Sequence, residues 1–213
     1  LGPEPVTAEV LGKDGTWAEK TEGTDFTVDR STGLVTFQTA PGEPPVKGQD
    51  NVRITAHKAR EGYADKINRC TICTVYGVGG AEDRVFLSGN PDEPGQDWYS
   101  GFEDPTFWPD TAYTKVSRDG GAVVGYAILG NTLATFLQGK GIGRNAVIRT
   151  GSLDENGEAL FRVTNTLLGE APVAPRSFAY LGKEPLFLTE RGVYAITAEE
   201  LTGEKYTQER SYF

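Results

Sequence analysis

Short runs of alternating apolar and polar residues recur along the chain, each bounded by glycine, proline or a polar cluster, which is the period-two signature of β-strands. The first five such runs fall at residues 9–11, 16–19, 26–29, 34–38 and 51–56. The clearest pairing is Phe26-Thr27-Val28-Asp29 with Leu34-Val35-Thr36-Phe37, two alternating segments around a short turn in which Gly33 can take a positive φ. That pattern predicts a β-hairpin. Residues 40–45 contain three prolines, which lack ladder donors, so they are expected as a loop before the last of these strands. Together these runs predict a small antiparallel β-domain over residues 1–58.

Residues 59–69 change character, with more charge and with Tyr63 and Ile67 four apart, the spacing of one helix face. A short helical connector is expected there, opening a second β-domain over 59–213. In that domain the runs at 70–76 and 84–88 read as strands separated by the Gly77-Val78-Gly79-Gly80 turn. Residues 89–119 read as a long irregular stretch rich in Pro, Gly, Asp and aromatics. Strand rhythm then returns at 122–129, 132–138, 146–150, 159–163, 178–181, 186–189 and 193–197, from which three hairpins can be drawn. The segments Val123–Leu133 and Ser177–Phe187 share a short polar turn after an apolar strand, and Gly130 and Gly182 stand 52 residues apart (130 to 182). That offset is close to the roughly 40–50 residues of a four-stranded propeller blade. The expected fold class is therefore all-β: a small antiparallel domain, a short helical connector, and a partial propeller-like or open antiparallel sheet domain.

Composition supports the class. The 213 residues include 27 Gly and 12 Pro, a density of turn-formers that disfavours a helical bundle, and no stretch is long and apolar enough to read as a membrane span. Lys and Arg number 21 against 30 Asp and Glu, a net charge of -9, which repels nucleic-acid backbones and argues against sequence-specific DNA binding. A single histidine, His57, removes most metal sites and most Ser/His or Cys/His machinery. The chain contains no Met and starts at Leu1 without a signal-peptide pattern, which reads as a segment of a longer chain.

Several clusters invite chemistry, each beside a plainer reading. Cys70-Thr71-Ile72-Cys73 is a C-x-x-C, but it continues as a strand, where that spacing places the two sulfurs on opposite faces roughly 10 Å apart. Buried, reduced core cysteines are expected, with a zinc site involving His57 as the alternative. Ser117-Arg118-Asp119-Gly120-Gly121 matches part of the S-x-D-x-G turn of sialidase-like propellers and reads as a hairpin turn. Asp154-Glu155-Asn156-Gly157 superficially suggests a calcium loop and is more simply a β-turn. Gly139-Lys140-Gly141-Ile142-Gly143-Arg144 could cradle an anion, but it lacks the Ser/Thr and the helix of a nucleotide loop and reads as a mobile basic loop. The hardest cluster to set aside interleaves Asp92, Glu93, Asp97, Glu103, Asp104 and Asp110 with Trp98, Tyr99, Phe102 and Trp108. Carboxylates among rings are what a glycoside hydrolase uses, although Asp-Pro and Pro-Asp steps are also ordinary turn chemistry.

The segments 83–91, 97–100 and 104–110, with Pro185-Leu186-Phe187-Leu188-Thr189-Glu190-Arg191-Gly192-Val193-Tyr194, resemble phage and prophage tail or neck (head-to-tail connector) structural proteins built from β-propeller-like blades. Residues 28–37 with Ala40-Pro41 are similar to the small β-domain inserted in such proteins. The resemblance spans about 24–213. It implies a virion structural component of the tail or connector that is not an enzyme, carries no catalytic residues or cofactor, and assembles in rings. Its partners would be other copies of itself and neighbouring virion proteins, with passive contact to translocating DNA and none with a membrane. In this reading Trp98, Tyr99, Phe102, Phe107 and Trp108 are the expected subunit contacts, unless they only seal their own sheet. A carbohydrate-binding or glycan-degrading β-protein is the alternative, and a redox or zinc protein built on Cys70 and Cys73 is a third class.

Overall fold

The computed structural model describes residues 1–117, 120–138, 142–155, 157–173, 177–182, 184–198 and 205–211. The chain divides into two compact units, Leu1–Glu61 and Gly62–Phe213. Both are built from antiparallel strands, so the all-β expectation holds.

In the first unit, β1 (Thr7–Leu11) lies between β2 (Trp17–Lys20) and β5 (Val52–Thr55), while β3 (Phe26–Asp29) and β4 (Leu34–Phe37) form a separate hairpin. The hairpin is the one its sequence predicts, with Phe26 opposite Phe37, Asp29 opposite Leu34, and Gly33 at φ 78° closing the turn. Asp29 fixes that turn by accepting from the backbone N–H and hydroxyl of Ser31, at 2.9 and 2.6 Å. Val6, Ala8 and Phe26 are buried together with Val28, Val35 and Phe37 packed around them. Full burial of a ring such as Phe26 is worth about 1.5–3 kcal/mol, a large share of what so small a unit can gather.

The second unit opens with α1 (Tyr63–Asn68), whose Ile67 is buried and whose Tyr63 hydroxyl donates to the Pro109 carbonyl at 2.9 Å. Three four-stranded sheets follow in strict chain order. The first comprises β6 (Ile72–Val75), β7 (Val85–Ser88), β8 (Gln96–Tyr99) and β9 (Tyr113–Lys115). The second comprises β10 (Val123–Leu129), β11 (Thr132–Leu137), β12 (Ile142–Leu153) and β13 (Ala159–Glu170). The third comprises β14 (Phe178–Leu181), β15 (Glu184–Leu188), β16 (Val193–Ala198) and β17 (Lys205–Glu209). Every strand pairs antiparallel with its sequence neighbour, so each sheet is an up-and-down meander.

The turn after the first strand of each meander carries a left-handed glycine: Gly79 (φ 65°), Gly130 (φ 61°) and Gly182 (φ 63°). They are spaced 51 residues (79 to 130) and 52 residues (130 to 182) apart, so the offset read between Gly130 and Gly182 is a three-fold structural repeat.

Two of the sequence expectations require correction. The stretch 89–119 is not irregular throughout, because it contributes β8 and β9; their polar Gln96 and Asp97 concealed a buried strand. The strands β12 and β13 are twelve residues each, far longer than the apolar runs at 146–150 and 159–163, because hairpin pairing continues through Gly, Thr and Asn positions. Two of these positions are bulges. Asn145 has no cross-strand partner between Arg144 and Ala146, and its buried amide donates to the Glu170 carbonyl at 3.1 Å.

The meanders stack through apolar faces. Tyr76 and Phe86 of the first sheet region meet Tyr126, Leu133, Leu137, Val147 and Phe161 of the second in one cluster. Val124, Ala134, Phe136 and Ile148 of the second meet Phe187 and Ile196 of the third in another. Because the second sheet is covered on both faces, β10 and β11 read as continuous apolar runs, VVGYAIL and TLATFL, without alternation. Gly125 marks a close approach: a Cβ there would collide with the Phe178 ring, so the third sheet seats an aromatic against bare backbone of the second.

Candidate functional site

The five aromatic residues that the sequence singles out do not form one surface. Trp98, on β8, is 1% exposed, and Tyr99 is half-buried, its ring 5.4 Å from Phe86 and 4.8 Å from Phe161 in the junction between the first and second sheets. Trp98 is therefore enclosed by this chain's own packing, and Tyr99 is partly so. Phe102 and Phe107 lie on the following loop and are 62% and 40% exposed, with the Arg84 guanidinium 5.4 Å from the Phe102 ring. Trp108 is half-buried and donates from Nε1 to the Pro105 carbonyl at 2.9 Å, holding the loop in place.

The interleaved carboxylates are likewise spread over separate tasks. Asp92 and Glu93 pair with Arg69 and Lys66 of the α1 segment, around a surface depression of about 170 Å³. Asp104 caps its own turn by accepting from the Thr106 N–H at 2.8 Å and hydroxyl at 2.6 Å. Glu103 occupies a left-handed conformation at φ 49°. Asp97 alone is fully buried, and its role is different.

The Asp97 carboxylate on β8 faces Arg149 on β12, both without solvent exposure, joining the first sheet to the second. Arg149 Nη1 donates to Asp97 Oδ1 at 3.1 Å, Nη2 bonds Oδ2, and Nη2 also reaches Thr135 Oγ1 at 2.8 Å. The Tyr126 hydroxyl completes the set by donating to Asp97 Oδ2 at 3.2 Å. Burial pushes the Asp97 carboxyl up from its ordinary range, while the guanidinium and its hydrogen bonds pull in the opposite direction. Burial also pushes the Tyr126 phenol well above its ordinary value, so it stays a donor. Arg149 lies 5.4 Å from the Phe86 ring, and its Nε has no partner among the described residues. A pair removed from water in this way contributes little net stability, while its two parallel bonds tie β8 to β12. Sequence reading overlooked Arg149, Thr135 and Tyr126. The available signal was the charge of Arg149 inside the apolar run Ala146-Val147-Ile148-Arg149-Thr150, which demands a buried partner.

A second cross-sheet latch lies beside this pair. The Tyr76 hydroxyl donates to the Asn131 carbonyl at 2.8 Å and accepts from the Gly151 N–H at 3.0 Å. A Cβ on Gly151 would sit 2.7 Å from the Gly77 carbonyl, so the turn after β6 lies directly against β12.

The outward faces of the two end sheets are the remaining apolar feature. On the first sheet, alternation places Cys73, Val75, Leu87, Trp98 and Tyr113 away from the second sheet, and Val75 and Tyr113 are 45% and 44% exposed. On the third sheet it places Ala179, Leu181, Leu186 and Leu188 away from the second, with Leu181 and Leu188 at 67% and 45%.

The cysteine expectation is corrected here. Cys73 is exposed on β6 and Cys70 is half-buried before it, both as free thiols. Burial, with a smaller contribution from the Asp97 charge, pushes the Cys70 thiol up to about 11, far from a reactive thiolate. Among the described residues, no three His, Cys, Asp or Glu side chains gather as a metal site. Ile142–Arg144 of the glycine-rich basic segment begin β12, while Gly139–Gly141 lie outside the described residues, as do Arg118 and Asp119 of the S-x-D-x-G match. Asn156 lies outside them too, but Asp154 accepts from Glu158 N–H through Oδ1 at 2.8 Å in a turn joining β12 and β13. No helix among the described residues is long and apolar enough to cross a membrane. No family model and no curated protein matches the chain.

Proposed function

We propose that the chain is a structural component of a bacteriophage or prophage tail or head-to-tail connector, acting by subunit assembly and not by catalysis. The reading is carried by one observation: three consecutive four-stranded meanders stack face to face, and the sheets at both ends present apolar side chains outward. Meanders repeating at 51–52 residues have the form of propeller blades, and a run of them that ends on exposed apolar faces is suited to burying those faces against protein. The sequence resemblance supplies the virion setting, with neighbouring virion proteins and further copies of the chain as partners. A net charge of -9 suits a surface past which DNA moves without adhering.

The test is immunogold electron microscopy of purified particles from cells in which the chain is made, together with its sedimentation alongside those particles. Label confined to the neck or tail is the expected result, and a chain found wholly outside particles would refute the reading. The exposed rings Phe102 and Phe107 favour a second reading, glycan binding. A glycan array with a reducing-sugar assay separates the two, since an assembly component gives signal in neither.

A further inference from the structure

Within the second unit an apolar face-to-face junction is made twice, first meander to second and second to third. Each junction is heterologous, because the two faces joined are different surfaces. After the third sheet the series stops on a face that carries Ala179, Leu181, Leu186 and Leu188, and before the first sheet it starts from one that carries Cys73, Val75, Leu87 and Tyr113. One is the face of the first sheet turned from the second, and the other is the face of the third sheet turned from the second. Both are largely apolar, and each carries a charge toward its edge, Lys115 two residues from Tyr113 on the first and Glu184 opposite Leu181 on the third.

We infer that the outward face of the third sheet seats the outward face of the first sheet in a second copy of this chain, so that copies join head to tail by continuing the stack. The inference rests on the assembly reading above and adds which surfaces meet and what occupies them. It follows from repetition: an operation that carries sheet one onto sheet two, and two onto three, carries three onto a further sheet of the same construction. A heterologous junction of this kind closes into a ring when the rotations sum to a full turn and otherwise extends as a filament. The first face is partly filled already, since Trp98 at its centre is buried, which leaves Val75 and Tyr113 as the exposed rim that a neighbour would cover.

Sedimentation velocity on residues 1–213 over a concentration series tests the inference with two variants. Leu181→Glu/Leu188→Glu alters the third face and Val75→Glu/Tyr113→Glu the first, and both sets lie at exposed positions so that folding, followed by circular dichroism, is retained. The parent is expected to form species larger than one chain, and each variant is expected to weaken association about 100-fold or more by placing carboxylates in an apolar contact. The decisive arm mixes the two variants. Each keeps one intact face, so the mixture is expected to give a species of two chains and nothing larger. A parent that stays monomeric throughout overturns the inference. So does a first-face variant that assembles like the parent, which would indicate two-fold pairing through the third sheet, and so does a mixture that remains monomeric. A chain that is monomeric yet labels the tail of particles would overturn this inference alone and leave the assembly reading standing.

Discussion

Removing the Asp97 carboxylate should unlock the first sheet from the second, and the size of the effect follows from burial. In Asp97→Ala the Arg149 guanidinium, buried in the parent, retains only Thr135 Oγ1 among its three side-chain bonds. Stripping one partner from a buried ion pair costs about 3–5 kcal/mol, mostly the penalty of the stranded charge. Replacing both residues with apolar groups in Asp97→Leu/Arg149→Met removes that charge, so the double variant should regain about 2–4 kcal/mol relative to the sum of the singles. Urea unfolding reads these numbers. Of the three tryptophans, Trp17 belongs to Leu1–Glu61, so a Trp17→Phe background leaves Trp98 and Trp108 to report on the second unit alone. A single Asp97→Ala cost below about 1 kcal/mol, or single costs that merely add in the double variant, would refute the claim that the pair is a coupled, desolvated lock between sheets.

Other outcomes follow from the same packing. Gly125→Val should destabilise the second unit by about 1–3 kcal/mol, because the new side chain meets the Phe178 ring and pushes the third sheet from the second; thermal melts of the variant read the loss. Trp98→Ala should cost about 3–5 kcal/mol in urea unfolding, whereas Phe102→Ala, at an exposed loop position, should stay within about 0.5 kcal/mol of the parent. In the first unit, hydrogen bonds from Ser31 and Thr32 hold the Asp29 carboxyl down to about 2, below its ordinary value of 3.8. A depressed folded value means the stabilisation is present above 3.8 and is lost as pH falls from there through about 2. Acid titration of the hairpin amides by NMR should show that loss, and Asp29→Asn should flatten it.

Where local chemistry decides the outcome, the structure was legible in the sequence. The hairpin of Phe26 to Phe37 needs only alternation and a positive-φ glycine, and both are visible in the residues. The repeat was visible for the same reason, since Gly130 and Gly182 are required by matching turns. Strands whose polarity is set by distant partners were hidden. Asp97 reads as one carboxylate of an irregular, ring-rich stretch until Arg149, 52 residues away (97 to 149), pairs with it. Trp98 and Tyr99 read as candidates for contact because rings in a Pro- and Gly-rich stretch are conspicuous, yet burial of such rings is satisfied as well by the chain's own sheets as by a neighbour's. The extent of β12 and β13 was hidden in a third way: their ends are held by cross-strand pairing of Gly143 with Gly169 and Ser152 with Leu160, which no single strand reveals.

In the proposed role, stacked meanders with apolar ends serve to build a particle. Quantitative mass spectrometry of gradient-purified particles tests it most directly, by counting copies of the chain against the capsid protein. An assembly component is expected at a small fixed number of copies per particle, the same across preparations and resistant to high-salt washing. Absence from particles, or a variable content that washing removes, would contradict it.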